Sequence, residues 1–95
     1  MEFGDFVASL SAAFPPEGAR SLLRALWLDA KGDFETAHAI AQEEDTPEGA
    51  RVHAYLHRKE GDLANASYWY RRAGLPRESG SLSLEWEKLV RHLLG

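Results

Sequence analysis

The chain has 95 residues, 44% of them hydrophobic and 27% charged, which is the composition of one globular domain over 1–95 and not of a disordered segment. Its 15 acids and 11 bases are unevenly placed: residues 1–50 hold ten acids against three bases, and residues 51–95 hold five against eight. The net charge of −4 argues against a general nucleic-acid binder, whose affinity comes from neutralised phosphates, and the lack of cysteine excludes disulfides, thiolate metal sites and thiol nucleophiles.

Phe3, Phe6, Val7, Leu10 and Phe14 recur at three- and four-residue steps, predicting a first helix over about 5–14 with Asp5 as its N-cap. Pro15-Pro16 ends it, because a residue before proline is pushed out of the α region. The stretch MEFGDFVASL has no basic segment ahead of its apolar residues, and no run in the chain is long enough to cross a membrane. A cytoplasmic location without membrane contact is the expectation.

Pro16-Glu17 suits the first turn of a second helix, where proline loses no hydrogen bond and the acid meets the helix dipole. Ala19, Leu22, Leu23, Leu26 and Ala30 form its stripe, and Trp27 and Leu28 widen it enough to make this helix central. Gly32 fits a left-handed C-cap, and Asp33 caps a third helix with Phe34, Ala37, Ile40 and Ala41 on its apolar side. Glu43-Glu44-Asp45 place acids against the dipole at that helix's end. Thr46-Pro47-Glu48 restarts a fourth helix, which runs to about Glu60 and closes at Gly61. Asp62 caps a fifth through about Ala73, stopped by Gly74 and Pro76. After a polar linker, Ser81 or Ser83 caps a last helix striped by Leu82, Trp86, Leu89, Val90 and Leu93. No segment alternates with period two, so the class is all-α.

Residues 24–45 laid over 53–74 without gaps match Ala25 to Ala54, Gly32 to Gly61, Asp33 to Asp62 and Ala37 to Ala66. The alanines allow close helix contact, and each Gly-Asp pair ends one helix and caps the next. The pentapeptide Pro-Glu-Gly-Ala-Arg also occurs twice, at 16–20 and 47–51, two residues further apart than the Gly-Asp pairs. A longer leading helix in the first hairpin is therefore expected. The second unit, with Ala54, Gly61-Asp62, Ala66, Tyr70, Ala73 and Pro76, resembles tetratricopeptide and SEL1-like repeats, in which antiparallel helix pairs stack. Ala41 and Glu44 in the first unit stand where an aromatic residue and an alanine are usual. The resemblance implies two antiparallel hairpins flanked by an N-terminal and a C-terminal helix that act as caps.

His53 and His57 are four apart on one helix, the spacing at which two imidazoles meet one metal ion. Ala54 stands where a zinc protease needs glutamate, and the repeat alignment puts both histidines on the packing face. They are read as packed and hydrogen-bonded, with His38 the one candidate for a third ligand, and no metal or cofactor is expected. Tyr68, Trp69, Tyr70, Arg71 and Arg72 interleave aromatics with bases as single-strand binders do, but consecutive helical residues point about 100° apart and cannot form one platform. None of the serines sits in a nucleophile elbow, and no glycine-rich phosphate loop is present, so no catalytic residue is assigned.

Arg51, Tyr55 and Arg58 share one face of the fourth helix, with Lys59 beside them. The resemblance implies that this face lines a concave groove, and that Leu22, Leu26 and Asp29 line it in the first unit. The function read from these residues is a non-enzymatic protein–protein interaction module, monomeric or weakly dimeric. It would bind a helical or extended partner segment that carries carboxylates. The alternatives are a nucleic-acid accessory protein using Arg58, Lys59, Arg71, Arg72 and Arg77, and a metal-binding or enzymatic protein using His53 and His57.

Overall fold

A computed structural model describes residues Met1–Gly95, and it is all-helical. The helices are α1 (Phe3–Ala8, followed by a 3-10 turn at Ser9–Ser11), α2 (Ser21–Ala30), α3 (Phe34–Glu43), α4 (Pro47–Lys59), α5 (Leu63–Ala73) and α6 (Leu82–Leu94). Helices α2 and α3 pack as one hairpin and α4 and α5 as another, with α3 against α4 joining them; α6 lies across α2 and α4 and also touches α1. No helix is long and apolar enough to cross a membrane.

The two hairpin corners are built alike. Gly32 and Gly61 take φ of 93° and 87°, a left-handed conformation that costs glycine nothing. At the first corner Gly32 N–H donates to Asp29 O and Asp33 N–H to Leu28 O; at the second, Gly61 donates to Arg58 O and Asp62 to His57 O. These are paired Schellman bonds that satisfy the last carbonyls of each leading helix. The next residue then caps the trailing helix, Asp33 accepting from Thr36 N–H and Asp62 from Asn65 N–H. Ala25, Ala54, Ala37 and Ala66 are all fully buried, as close helix contact requires.

The start of the chain departs from its periodicity. The N-cap of helix α1 lies three residues earlier than the pattern indicates, at Glu2 and not Asp5, and Asp5 takes the third helical position and closes a capping box. It also stops earlier. Ser9 and Ser11 hydroxyls donate to Phe6 O and Ala8 O, and the backbone tightens into a 3-10 turn before the prolines. Phe14 therefore leaves the stripe and is 80% exposed. Trp27 and Lys31 hold this turn from α2, through Ser9 Oγ at 3.1 Å and through the carbonyls of Leu10 and Ala12.

The repeated pentapeptide has two structures. At 47–51 it opens α4: Thr46 Oγ1 accepts from Gly49 N–H at 2.9 Å, Pro47 occupies the first turn, and a Cβ at Gly49 would overlap the Glu44 carbonyl oxygen. At 16–20 the preceding residue is Pro15, which offers no capping oxygen. Gly18 turns left-handed (φ 80°), and α2 starts only at Ser21. The first leading helix is thus the shorter one, 10 residues against 13, which corrects the expectation from the spacing.

The main core joins Phe6, Leu22, Leu23, Leu26 and Trp27 to Val52, Tyr55 and Leu56 of α4 and Leu89, Val90 and Leu93 of α6. Complete burial of a leucine such as Leu26 or Leu56 contributes about 1.5–3 kcal/mol. A smaller cluster of Ala54, Ala66 and Tyr70 seats α5 on α4.

Candidate functional site

The leading-helix face assembles most of the residues singled out for a groove, but it is not an open groove. Leu22 and Leu26 are fully buried and Tyr55 is 3% exposed, because α6 covers them. The polar residues are engaged inside the molecule. Asp29 has almost no exposure; it accepts from Tyr55 Oη at 2.9 Å and from Lys59 Nζ at 2.8 Å. Glu85 of α6, equally buried, accepts from Arg58 at 2.7 Å and from Tyr70 Oη at 2.5 Å. Arg58 also donates to Gly80 O. Arg51 is half-buried and belongs to neither network. Burial, with the neighbouring carboxylate in each case, pushes the Tyr55 and Tyr70 phenols well above their ordinary range, so both act as donors. A residual cleft of about 280 Å³ persists between Asp29, Tyr55, Lys59, Leu10, Leu82 and Trp86.

Helix α6 thus supplies the carboxylate that Arg58 was expected to draw from a partner. Trp86 adds a hydrogen bond from Nε1 to Leu26 O at 3.0 Å, and Leu89, Val90 and Leu93 follow on the same side of the helix. Asp29 stood at a groove position in the sequence. Glu85 carried no signal there, since a lone acid on an exposed-looking helix turn is indistinguishable from a solvated one.

The bases of the nucleic-acid alternative point different ways. Arg58 and Lys59 face α6 and α2, whereas Arg72 stacks over Trp69 with its guanidinium 5.3 Å from the ring centre, near Asp45. Arg77 reaches Ser67.

On the other side of α4 the structure brings three histidines together. His53 and His57 project from successive turns of α4, and His38 meets them from α3. His38 Nε2 and His53 Nε2 are 2.9 Å apart, one donating and the other accepting, and the three rings lie 4.6–5.1 Å from one another between centres. One nitrogen of each comes within 4.8 Å of the others. Trp69 of α5 stacks on His53 at 4.0 Å and Phe34 stacks on His38 at 5.9 Å, so packing fixes both rings. His57 Nδ1 is 2.7 Å from Glu60 Oε1. Burial, reinforced by the other two rings, holds His53 down at about 4; burial and the His57 ring lower His38 as well. Both imidazoles are therefore neutral at pH 7. A polar cleft of about 360 Å³, lined by Thr46, Ala50, His53, Trp69 and Arg72 among others, opens alongside. The i, i+4 spacing made two of these histidines visible in the sequence; the approach of His38 depends on how α3 packs on α4. Comparison with family models, with curated proteins and with solved structures returns no match for this chain.

Proposed function

We propose that the chain is a small non-enzymatic interaction module, of the tetratricopeptide or SEL1-like kind, working in the cytoplasm. It recognises an amphipathic helix bearing a carboxylate on the face formed by α2 and α4. One observation carries this reading: that face already seats such a helix, α6, by capturing Glu85 between Arg58 and Tyr70 over an apolar bed. The like-built hairpin corners and the buried alanine pairs support the repeat assignment. A partner helix takes the place of α6. The tether between α5 and α6 is short, which gives α6 an effective concentration of order millimolar, so the module is closed until a tighter helix arrives.

The test weakens the internal helix and supplies it from outside. The full chain with Glu85→Ala is titrated with a synthetic peptide of residues 81–95, and thermal melts follow occupancy. The peptide should raise the Tm of this variant by linkage, and a peptide with the same Glu85→Ala change should bind at least about tenfold more weakly, as loss of a charge-assisted hydrogen bond implies. If Glu85→Ala does not fold, Glu85→Gln, which keeps a partner for Tyr70, takes its place. A Tm that the intact peptide leaves unmoved would overturn the reading.

A further inference from the structure

We propose that His38, His53 and His57 form a binding site for a single first-row divalent metal ion, zinc in the first instance, that ties the trailing helix of one hairpin to the leading helix of the next. This goes beyond the interaction reading and does not depend on it.

The ligand set carries the inference. Three imidazole nitrogens without thiolate suit zinc, copper or nickel and not the oxygen-loving magnesium or calcium. Tetrahedral zinc with bonds of 2.0–2.1 Å needs its nitrogens about 3.3 Å apart. Here the closest pair is 2.9 Å apart and all three lie within 4.8 Å, distances that bracket the spacing an ion needs. Two ligands one helical turn apart on α4 and one from the adjacent α3 give the three-point approach that a single helix cannot supply.

The surroundings match a ligand set more closely than a packing cluster. Glu60 engages His57 Nδ1, which leaves Nε2 for the ion and makes the carboxylate–histidine arrangement that orients and strengthens imidazole ligands. Trp69 and Phe34 hold the other two rings in place, which lowers the cost of ordering them on binding. His38 is only half-buried, so an ion has an entry path, and the fourth position is left to water or an exogenous ligand.

The experiment uses the full chain stripped with a chelator and titrated with Zn²⁺, and with Co²⁺ as a coloured probe. One equivalent should bind, with the visible absorption of tetrahedral cobalt. Zinc at about a hundred times its dissociation constant should raise Tm by roughly 10 °C or more. His38→Gln, at the most exposed of the three, should weaken cobalt binding by at least about a hundredfold, and Glu60→Gln by about tenfold, in line with the smaller role of an orienting partner. His92→Gln is the control: the fourth histidine sits on α6 against Glu48 and should bind as the unaltered chain does. Circular dichroism of each variant without metal separates loss of the site from loss of the fold, and His57→Gln replaces any variant that fails to fold. No uptake of either ion by the folded chain overturns the proposal, as does uptake that survives both His38→Gln and His57→Gln.

Discussion

Asp29 and Glu85 are 3% and 2% exposed, and a bare carboxylate so placed would cost several kcal/mol in lost hydration. Each instead receives one cation and one phenol, and no buried side-chain polar atom in the molecule is left without a partner. His53 and His38 solve the same problem by remaining neutral. That choice has a pH signature. With His53 near 4 in the fold and near 6.5 when unfolded, the unfolded chain takes up the proton more readily between those values. Stability from this group is complete above about 6.5 and is lost as pH falls towards 4. At pH 5 the loss is about 2 kcal/mol, or roughly 10 °C in Tm for a domain of this size, with His38 adding in the same direction. Melts with chelator present from pH 8 to 5 check this. His53→Gln should flatten the slope, and a slope unchanged by it would mean that other groups carry the acid sensitivity.

At the scale of elements, local context outweighs local sequence. Pro-Glu-Gly-Ala-Arg is a helix start after Thr46 and a turn after Pro15, because only the threonine supplies an oxygen for the glycine N–H. Within the apolar junction of α4 and α6 lies one buried ion pair, Arg58–Glu85. Arg58→Glu would place two carboxylates in one buried site and should cost about 3–5 kcal/mol, so this residue is not a neutral surface position. Glu85→Arg should cost a similar amount. The double exchange should recover a coupling energy of about 1–3 kcal/mol in urea unfolding, since the two side chains meet directly. Strict additivity of the two losses would show that the 2.7 Å pair does not hold α6 in place.

At the scale of the molecule, the core is lopsided. Helices α1, α2, α3, α4 and α6 share the large apolar cluster, while α5 is seated on α4 through Ala54, Ala66 and Tyr70, with Trp69 at the edge, and bonds α6 through the Tyr70 hydroxyl on Glu85. Helix α5 should therefore open first. Amide exchange of Ala66–Ala73 should proceed through a sub-global opening of lower free energy than that of Val52–Leu56 in α4. Equal protection in both segments would mean that the chain unfolds only as a whole. The same lopsidedness makes α6 part of the core and not an appendage, because Leu89, Val90 and Leu93 fill the bed that α2 and α4 leave between them.

The features that the sequence alone determined are those set within a few residues of backbone. Gly32, Gly61 and Gly74 in the left-handed region, Asp33, Thr46 and Asp62 as caps, and the 3.6-residue stripes are short-range chemistry, and together they define an all-α chain with two hairpins, while the choice of Ser81 over Ser83 as the cap of α6 was left to the structure. The early end of α1 and the late start of α2 were illegible because serine side chains and a missing cap compete on equal terms with periodicity near prolines. Tertiary structure decided the rest. Whether Arg58 faces solvent or a carboxylate, whether Leu22 and Leu26 line a groove or a core, and whether His38 meets His53 all depend on which helix lies across which. That is settled by the summed burial of the apolar faces of α2, α4 and α6, an energy spread over residues as far apart as Leu22 and Leu93, and no window of the sequence contains it.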